Sequence, residues 1–150
     1  KDIQIPNYTG ETKTTLAIEK TQIPIVPGTD LSKVFHIKEI YFDLDKYNIR
    51  KDAAIELAKI LEVLLEYPTM KIAINSHTDS RQTSTYNFIL SNNRAKSSKE
   101  WLIKQGISSD RLTAKGYGET KLLNKCGNKI ECPEEEHAKN RRLEFNITLK

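Results

Sequence analysis

The run from Lys71 to Gln105 constrains this chain most, because it switches from a period of two to a helical period across one short connection. Lys71 to Thr78 alternates Ile72 and Ile74 with Lys71, Ala73 and Asn75, which predicts a strand with its apolar side chains on one face. From Thr83 onward Ser and Thr offer helix caps, and Tyr86, Leu90, Trp101 and Leu102 recur at roughly helical spacing until Gly106 ends the run. Asp79 falls at the C-terminal end of the strand. Arg94 lies in the helix, seven residues after Asn87 and so at nearly the same azimuth. Asn87, Ser91 and Arg94 are therefore expected to line one polar edge, and in α/β sheets ligands tend to bind beyond the carboxyl ends of the strands. An acid that accepts from an ammonium, facing an arginine whose fork grips a carboxylate, suits a zwitterion. The same spacing also fits a structural ion pair or two solvated charges, and the pattern alone leaves these readings open.

The flanking segments extend the alternation. Ile37 to Asp43 reads as a first strand, with Ile40 and Phe42 opposite Tyr41 and Asp43. A turn over Leu44 to Arg50 precedes a helix from about Lys51 to Glu66, whose buried stripe is Ala53, Leu57, Ile60, Leu61 and Leu64. Tyr67-Pro68 stops it, because the residue before a proline avoids helical geometry. Arg111 to Gly118 supplies a third strand. Arg142 to Leu149 supplies a fourth, alternating Leu143, Phe145, Ile147 and Leu149 with Arg142, Glu144, Asn146 and Thr148. Two parallel βαβ crossovers follow, each expected to be right-handed. The predicted fold is an α/β (α+β) two-layer sandwich of βαβαβ-β order, with a mixed sheet and helices on one side.

Length and charge narrow the function classes. A chain of 150 residues, 37% hydrophobic and 29% charged, can bury one core, and no apolar run approaches transmembrane length. Lys and Arg number 24 against 20 Asp and Glu, a net charge of +4, which favours an anionic partner. The signs are interspersed with no basic block, so nucleic acid is not indicated. The chain opens on Lys1-Asp2-Ile3 without a leader, and any export signal or membrane anchor is expected upstream. In Lys1 to Lys33, Pro6, Gly10, Pro24, Pro27 and Gly28 punctuate short β-type pieces such as Thr14 to Ile18 and Ile23 to Val26, with no helix pattern. Residues 1–33 are expected to be an extended linker or the tail of an upstream β-rich domain, and residues 34–150 the main domain.

Five segments together are more specific than any one. FDLDKYNI at Phe42 to Ile49, SHTDSR at Ser76 to Arg81, YNFILSNNRAKS at Tyr86 to Ser97, GYGE at Gly116 to Glu119 and KNRRLEF at Lys139 to Phe145 occur in one order. In that order and approximate spacing the chain resembles the OmpA-like C-terminal domain family over roughly Val34 to Leu149. The resemblance implies non-catalytic binding of peptidoglycan, with Asp79 and Arg94 holding the free amino-acid end of diaminopimelate in the stem peptide. It implies that Asp43, Thr78, Asn87, Leu90 and one of Arg141 and Arg142 line or brace the same groove. Arg141 is favoured, since adjacent residues in a strand point to opposite faces; Leu90 also fits a core position. A periplasmic location, outer-membrane association through upstream regions, and no cofactor or metal follow from the same resemblance.

One departure concerns the loop after Asp79. Many members carry a glycine there, whereas this chain reads Ser80-Arg81-Gln82-Thr83, so a bend that needs a positive φ would strain Gln82. In an envelope protein the pair Cys126 and Cys132 reads as a disulfide; zinc held with His137 is the competing idea, without supporting CxxC or HxxxH spacing. Glu134 to His137 is expected to start a short helix. Two rival functions remain: a wall hydrolase using His77 and Asp79, for which no nucleophile or third ligand is evident, and a protein-interaction module docking through Lys1 to Lys33.

Overall fold

The computed structural model describes residues 23–127 and 129–150, so the pieces expected within 1–22 lie outside the described residues. Its elements are α1 (Leu31–Val34), α2 (Lys51–Glu66), β1 (Lys71–His77), α3 (Ser84–Lys104), β2 (Leu112–Gly118), α4 (Glu134–Ala138) and β3 (Arg142–Leu149), with a 3₁₀ turn at Ser109–Arg111 before β2. The three strands form one mixed sheet in the order β2-β1-β3, β1 parallel to β2 and antiparallel to β3. The α/β two-layer arrangement is as predicted, built on these three strands.

Register explains which face is dry. Ile72 and Ile74 sit opposite Ile147 and Phe145 on one side and Leu112 and Ala114 on the other, so one face is continuously apolar. The stripe of α2 (Ala53, Leu57, Ile60, Leu61, Leu64) is buried in the same core. Tyr67 leaves helical geometry at φ −117° and ψ 82°, as the following proline requires. The carbonyls left open at that end do not go unpaired. Arg111 donates to Leu64 O, Tyr67 O and Met70 O at 2.8, 2.8 and 2.9 Å, setting a cation at the negative end of α2 and tying it to the start of β1.

Helix α3 crosses from β1 to β2 and packs differently from α2. Thr83 caps it by accepting from Tyr86 N, and Gly106 ends it at φ 108°. Of the apolar residues that mark it in the sequence only Leu102 is fully buried; its inner face is Asn87, Ser91, Ala95, Ser98 and Leu102. Small residues let the helix lie directly on β2. A Cβ at Gly116 would sit 2.2 Å from Asn92 N, and Ser91 Oγ accepts from Gly118 N at 2.9 Å.

Two expectations need correction. Ile37 to Asp43 is not a strand: it has no ladder partner among the described residues, and Lys38 N donates instead to Glu56 Oε1 at 2.8 Å. Its buried residues, Ile37 and Ile40, are three apart, which a period-two reading misses. At Ile147 the outer edge of β3 is already paired, through Gly28 N and Thr29 O. Among the described residues the β1–α3–β2 crossover is therefore the only one of the two expected. The absence of any helix before Lys33 is also wrong: Leu31–Val34 forms one turn, capped by Asp30, whose Oδ1 accepts from Ser32 N and from Phe145 N of β3. Leu31 and Val34 are fully buried, and the expected boundary at 33/34 falls inside this turn.

Candidate functional site

A cleft of about 530 Å³ opens beyond the C-terminal end of β1. Ser76 to Asp79 form its floor, α3 contributes Tyr86, Asn87, Leu90 and Arg94, the segment before α2 contributes Ile40, Tyr41, Phe42, Leu44 and Asp45, and Arg81, Arg141 and Arg142 close the remaining side.

Asp79 takes its position from the end of the ladder. The register between β1 and β2 shifts at Ser76/His77, and Thr78 N then donates to Gly118 O at 2.8 Å. Thr78 Oγ1 donates to Asp79 O, and the buried Asn87 amide donates to Asp79 O at 3.1 Å and to Glu119 Oε1 at 2.9 Å. Thr78 and Asn87 thus hold the backbone that carries the carboxylate. Asp79 Oδ1 accepts from Arg81 N, while Oδ2 accepts from Arg81 Nη2 at 2.9 Å and Arg141 Nη1 at 2.8 Å. Asp79 is only 7% exposed. Burial opposes its ionisation, but the hydrogen bonds from Arg81 and Arg141 outweigh that cost and take its pKa down to about 2. Glu134, at the start of α4, accepts from the second arms of the same two arginines, at 3.0 Å from Arg81 and 2.5 Å from Arg141. The result is a ring of two carboxylates and two guanidiniums.

Arg94 is held in another way. Its Nε donates to Lys46 O at 2.9 Å and its Nη2 to Asp43 O at 3.2 Å, and the guanidinium lies 4.9 Å over the Phe42 ring. These partners are carbonyls and a π face, which orient a cation without cancelling its charge. Among the described residues Arg94 makes no ion pair, and burial pushes its pKa down. A half-buried guanidinium of this kind favours an anion.

Of the predicted site residues, Asp79, Arg94, Thr78, Asn87, Leu90 and Arg141 come together at this cleft. The Asp43 side chain does not, since it turns out to Arg50 at 3.4 Å and only its carbonyl serves the site, on Arg94. Nor does the polar edge of α3 hold together, because Ser91 faces β2. Arg141 rather than Arg142 reaches Asp79; Arg142 enters β3 and pairs with Glu144 at 3.0 Å. Sequence reasoning missed Arg81, Glu134 and the pair formed by Tyr86 OH donating to Asp45 Oδ1. Arg81 had a readable signal, an Asp two residues before it, the spacing of a side chain that caps its own turn. Glu134 had none.

The loop after Asp79 needs no glycine. The described non-glycine residues at positive φ are His36, Asp45 and Lys129, so Gln82 is not strained, and the bend rests on the Asp79 to Arg81 N hydrogen bond. Ser80 Oγ also donates to Cys126 O at 2.6 Å, tying the bend to the next loop. Cys126 and Cys132 form the expected disulfide, with Cα atoms 6.0 Å apart, so neither sulfur is free to hold zinc with His137. His77 is buried, stacks on Tyr117 with ring centroids 5.3 Å apart, and meets Glu144 Oε1 at 3.1 Å. Chiefly through His77, Glu144 is held at a pKa of about 2. His77 and Asp79 therefore answer to different partners and do not form an acid–base pair.

Comparisons with known proteins identify the family and the fold. A family model described as OmpA family matches residues 41–136. The peptidoglycan-associated lipoprotein of Rhizobium meliloti is 34% identical over 107 residues, 71% of this chain and 60% of that protein; that of Brucella melitensis is 36% identical over 101 residues, 67% and 60%. A 43% identity over 84 residues links the chain to the Photosystem I P700 chlorophyll a apoprotein A2 of Gloeobacter violaceus, but spans only 10% of it. The chain thus covers three fifths or less of these relatives. Among solved structures, the peptidoglycan-associated lipoprotein from Burkholderia pseudomallei superposes with a TM-score of 0.63 at 28% identity, over 73% of this chain and 90% of that one. The C-terminal domain of Helicobacter pylori MotB shares the fold, with a TM-score of 0.64 at 22% identity over 76% and 86%.

Proposed function

The chain belongs to the OmpA family, and on that premise we propose that it binds peptidoglycan without cleaving it, holding the zwitterionic end of diaminopimelate in a stem peptide. The observation that carries this reading is Arg94: a half-buried guanidinium with no carboxylate partner among the described residues, in one cleft with the ionised Asp79. The ligand carboxylate takes the Arg94 arms that the two carbonyls leave free. The ligand ammonium is accepted by Asp79, a carboxylate that stays charged throughout the physiological pH range. Leu90 and Phe42 supply apolar surface for the methylene chain between the two ends. The relatives named peptidoglycan-associated lipoproteins support the partner, and with it a place in the periplasm of a Gram-negative envelope, tethered to the outer membrane through regions beyond this chain.

Two or three charge-assisted hydrogen bonds, each about 1.5 to 3 kcal/mol net, less the ordering of a flexible peptide, give an affinity on the order of micromolar. A wall that repeats its stem peptides makes such binding durable by avidity. The test is co-sedimentation with purified peptidoglycan sacculi, with soluble muropeptides assayed in parallel. The protein should pellet with sacculi and release nothing. Failure to pellet would refute the binding reading, and turnover would refute the non-catalytic one.

A further inference from the structure

Arg81 stands where a ligand's ammonium would go. Its Nη2 and backbone N–H occupy both oxygens of Asp79, and its Nη1 reaches Glu134. The side chain is 47% exposed, against 10% for Asp79, so the guanidinium forms a solvent-facing cover over a buried carboxylate. The second anchor matters for exchange. If Nη2 leaves Asp79, Nη1 keeps Glu134, and the guanidinium need not return to water unpaired. Arg141 holds Asp79 from the other side and keeps the carboxylate ionised during the swap. The backbone N–H of Arg81 would remain on Oδ1 throughout, preserving the bend.

We propose that Arg81 is a specificity-determining residue of the cleft, an internal cation that occupies the ammonium seat on Asp79 and admits only ligands whose own charge can displace it. This rests on the reading of the cleft as a stem-peptide site. A neutral group offers Asp79 less than the guanidinium it would replace, because charge-assisted hydrogen bonds are roughly twice as strong as neutral ones. A ligand with a free amino end is therefore accepted, and the same ligand with that nitrogen acylated is refused. The cover also lowers affinity for the correct ligand, since part of the gain is given up in displacing it. An exposed ion pair of this kind is worth at most about a fivefold change in binding.

The experiment titrates a diaminopimelate stem peptide, and the same peptide acetylated on its side-chain amine, into wild type, Arg81→Gln and Asp79→Ala, with amide spectra confirming each fold. Arg81→Gln should bind the free peptide more tightly, by up to about fivefold, and should lose part of the discrimination against the acetylated one. Asp79-dependent binding by Arg81→Gln where wild type shows none would also support the proposal. Equal affinities and equal discrimination in wild type and Arg81→Gln, with Asp79 still required, would overturn it while leaving the function intact. Weaker binding by Arg81→Gln would make Arg81 a ligand contact and overturn it too. No binding by any form would overturn both readings.

Discussion

Replacing Asp79 with Asn keeps the shape of the side chain and removes its charge, so it isolates what ionisation contributes to the folded state. The carboxyl goes from an ordinary 3.8 to about 2 on folding, a gap worth roughly 2 kcal/mol at about 1.4 kcal/mol per pH unit. Arg81 is half exposed and screened by solvent, so we expect about 1 to 2 kcal/mol. The sign follows from the direction: a lowered folded pKa means stability that is fully present above about pH 4 and is lost as pH falls towards 2. Urea unfolding of wild type and Asp79→Asn at pH 7, 5, 3 and 2 measures the difference directly. It should be about 1 to 2 kcal/mol at pH 7 and 5, and shrink to a few tenths at pH 2. Glu144, held at about 2 chiefly by His77, titrates in the same window, but it is present in both proteins and cancels in the comparison. Any cost of the amide itself is independent of pH. A difference of the same size at pH 2 and pH 7 would refute the claim that the two arginines hold an ionised Asp79.

Arg94→Lys keeps the charge but has one donor centre, which cannot hold Lys46 O and Asp43 O and still present a fork to a carboxylate. Sacculus and stem-peptide binding should fall at least about tenfold, with stability changed by less than about 1 kcal/mol; wild-type affinity would mean that charge alone suffices. Gly116→Ala puts a Cβ 2.2 Å from the backbone nitrogen of Asn92, and either α3 or β2 must move. A loss of about 1 to 3 kcal/mol in urea unfolding is expected, and an unchanged midpoint would contradict the close approach of α3 to β2.

The sequence was most legible where burial is apolar and periodic. Helix α2 was read to the residue because five buried positions repeat at helical spacing and Pro68 stops them. Strand β3 was equally plain from its alternation, although Leu149 at its end is exposed. Helix α3 was found by its caps and its length, but its inner face was not, since Asn87, Ser91 and Ser98 are buried polar residues that pattern analysis places in solvent. Ile37 to Asp43 shows the opposite failure. Its alternating residues suggested a strand, whereas burial there follows Ile37 and Ile40 and the backbone pairs with the Glu56 side chain. At the cleft, one strand-to-helix connection made Asp79 and Arg94 visible as two opposite charges, and the family pattern is what suggested a shared ligand. Arg141 came from the family pattern, and its partnership with Glu134 did not, because that contact depends on how the disulfide-closed loop lays α4 beside the bend at Ser80.

The most direct test of the central claim is calorimetric titration of a diaminopimelate-containing stem peptide into the protein, against the corresponding lysine-containing peptide, which lacks the second carboxylate. Saturable binding on the order of micromolar, lost or strongly weakened with the lysine peptide, is the predicted result. Equal binding of the two peptides, or no binding of either, would contradict the assignment of Arg94 and Asp79 to the two ends of a zwitterion.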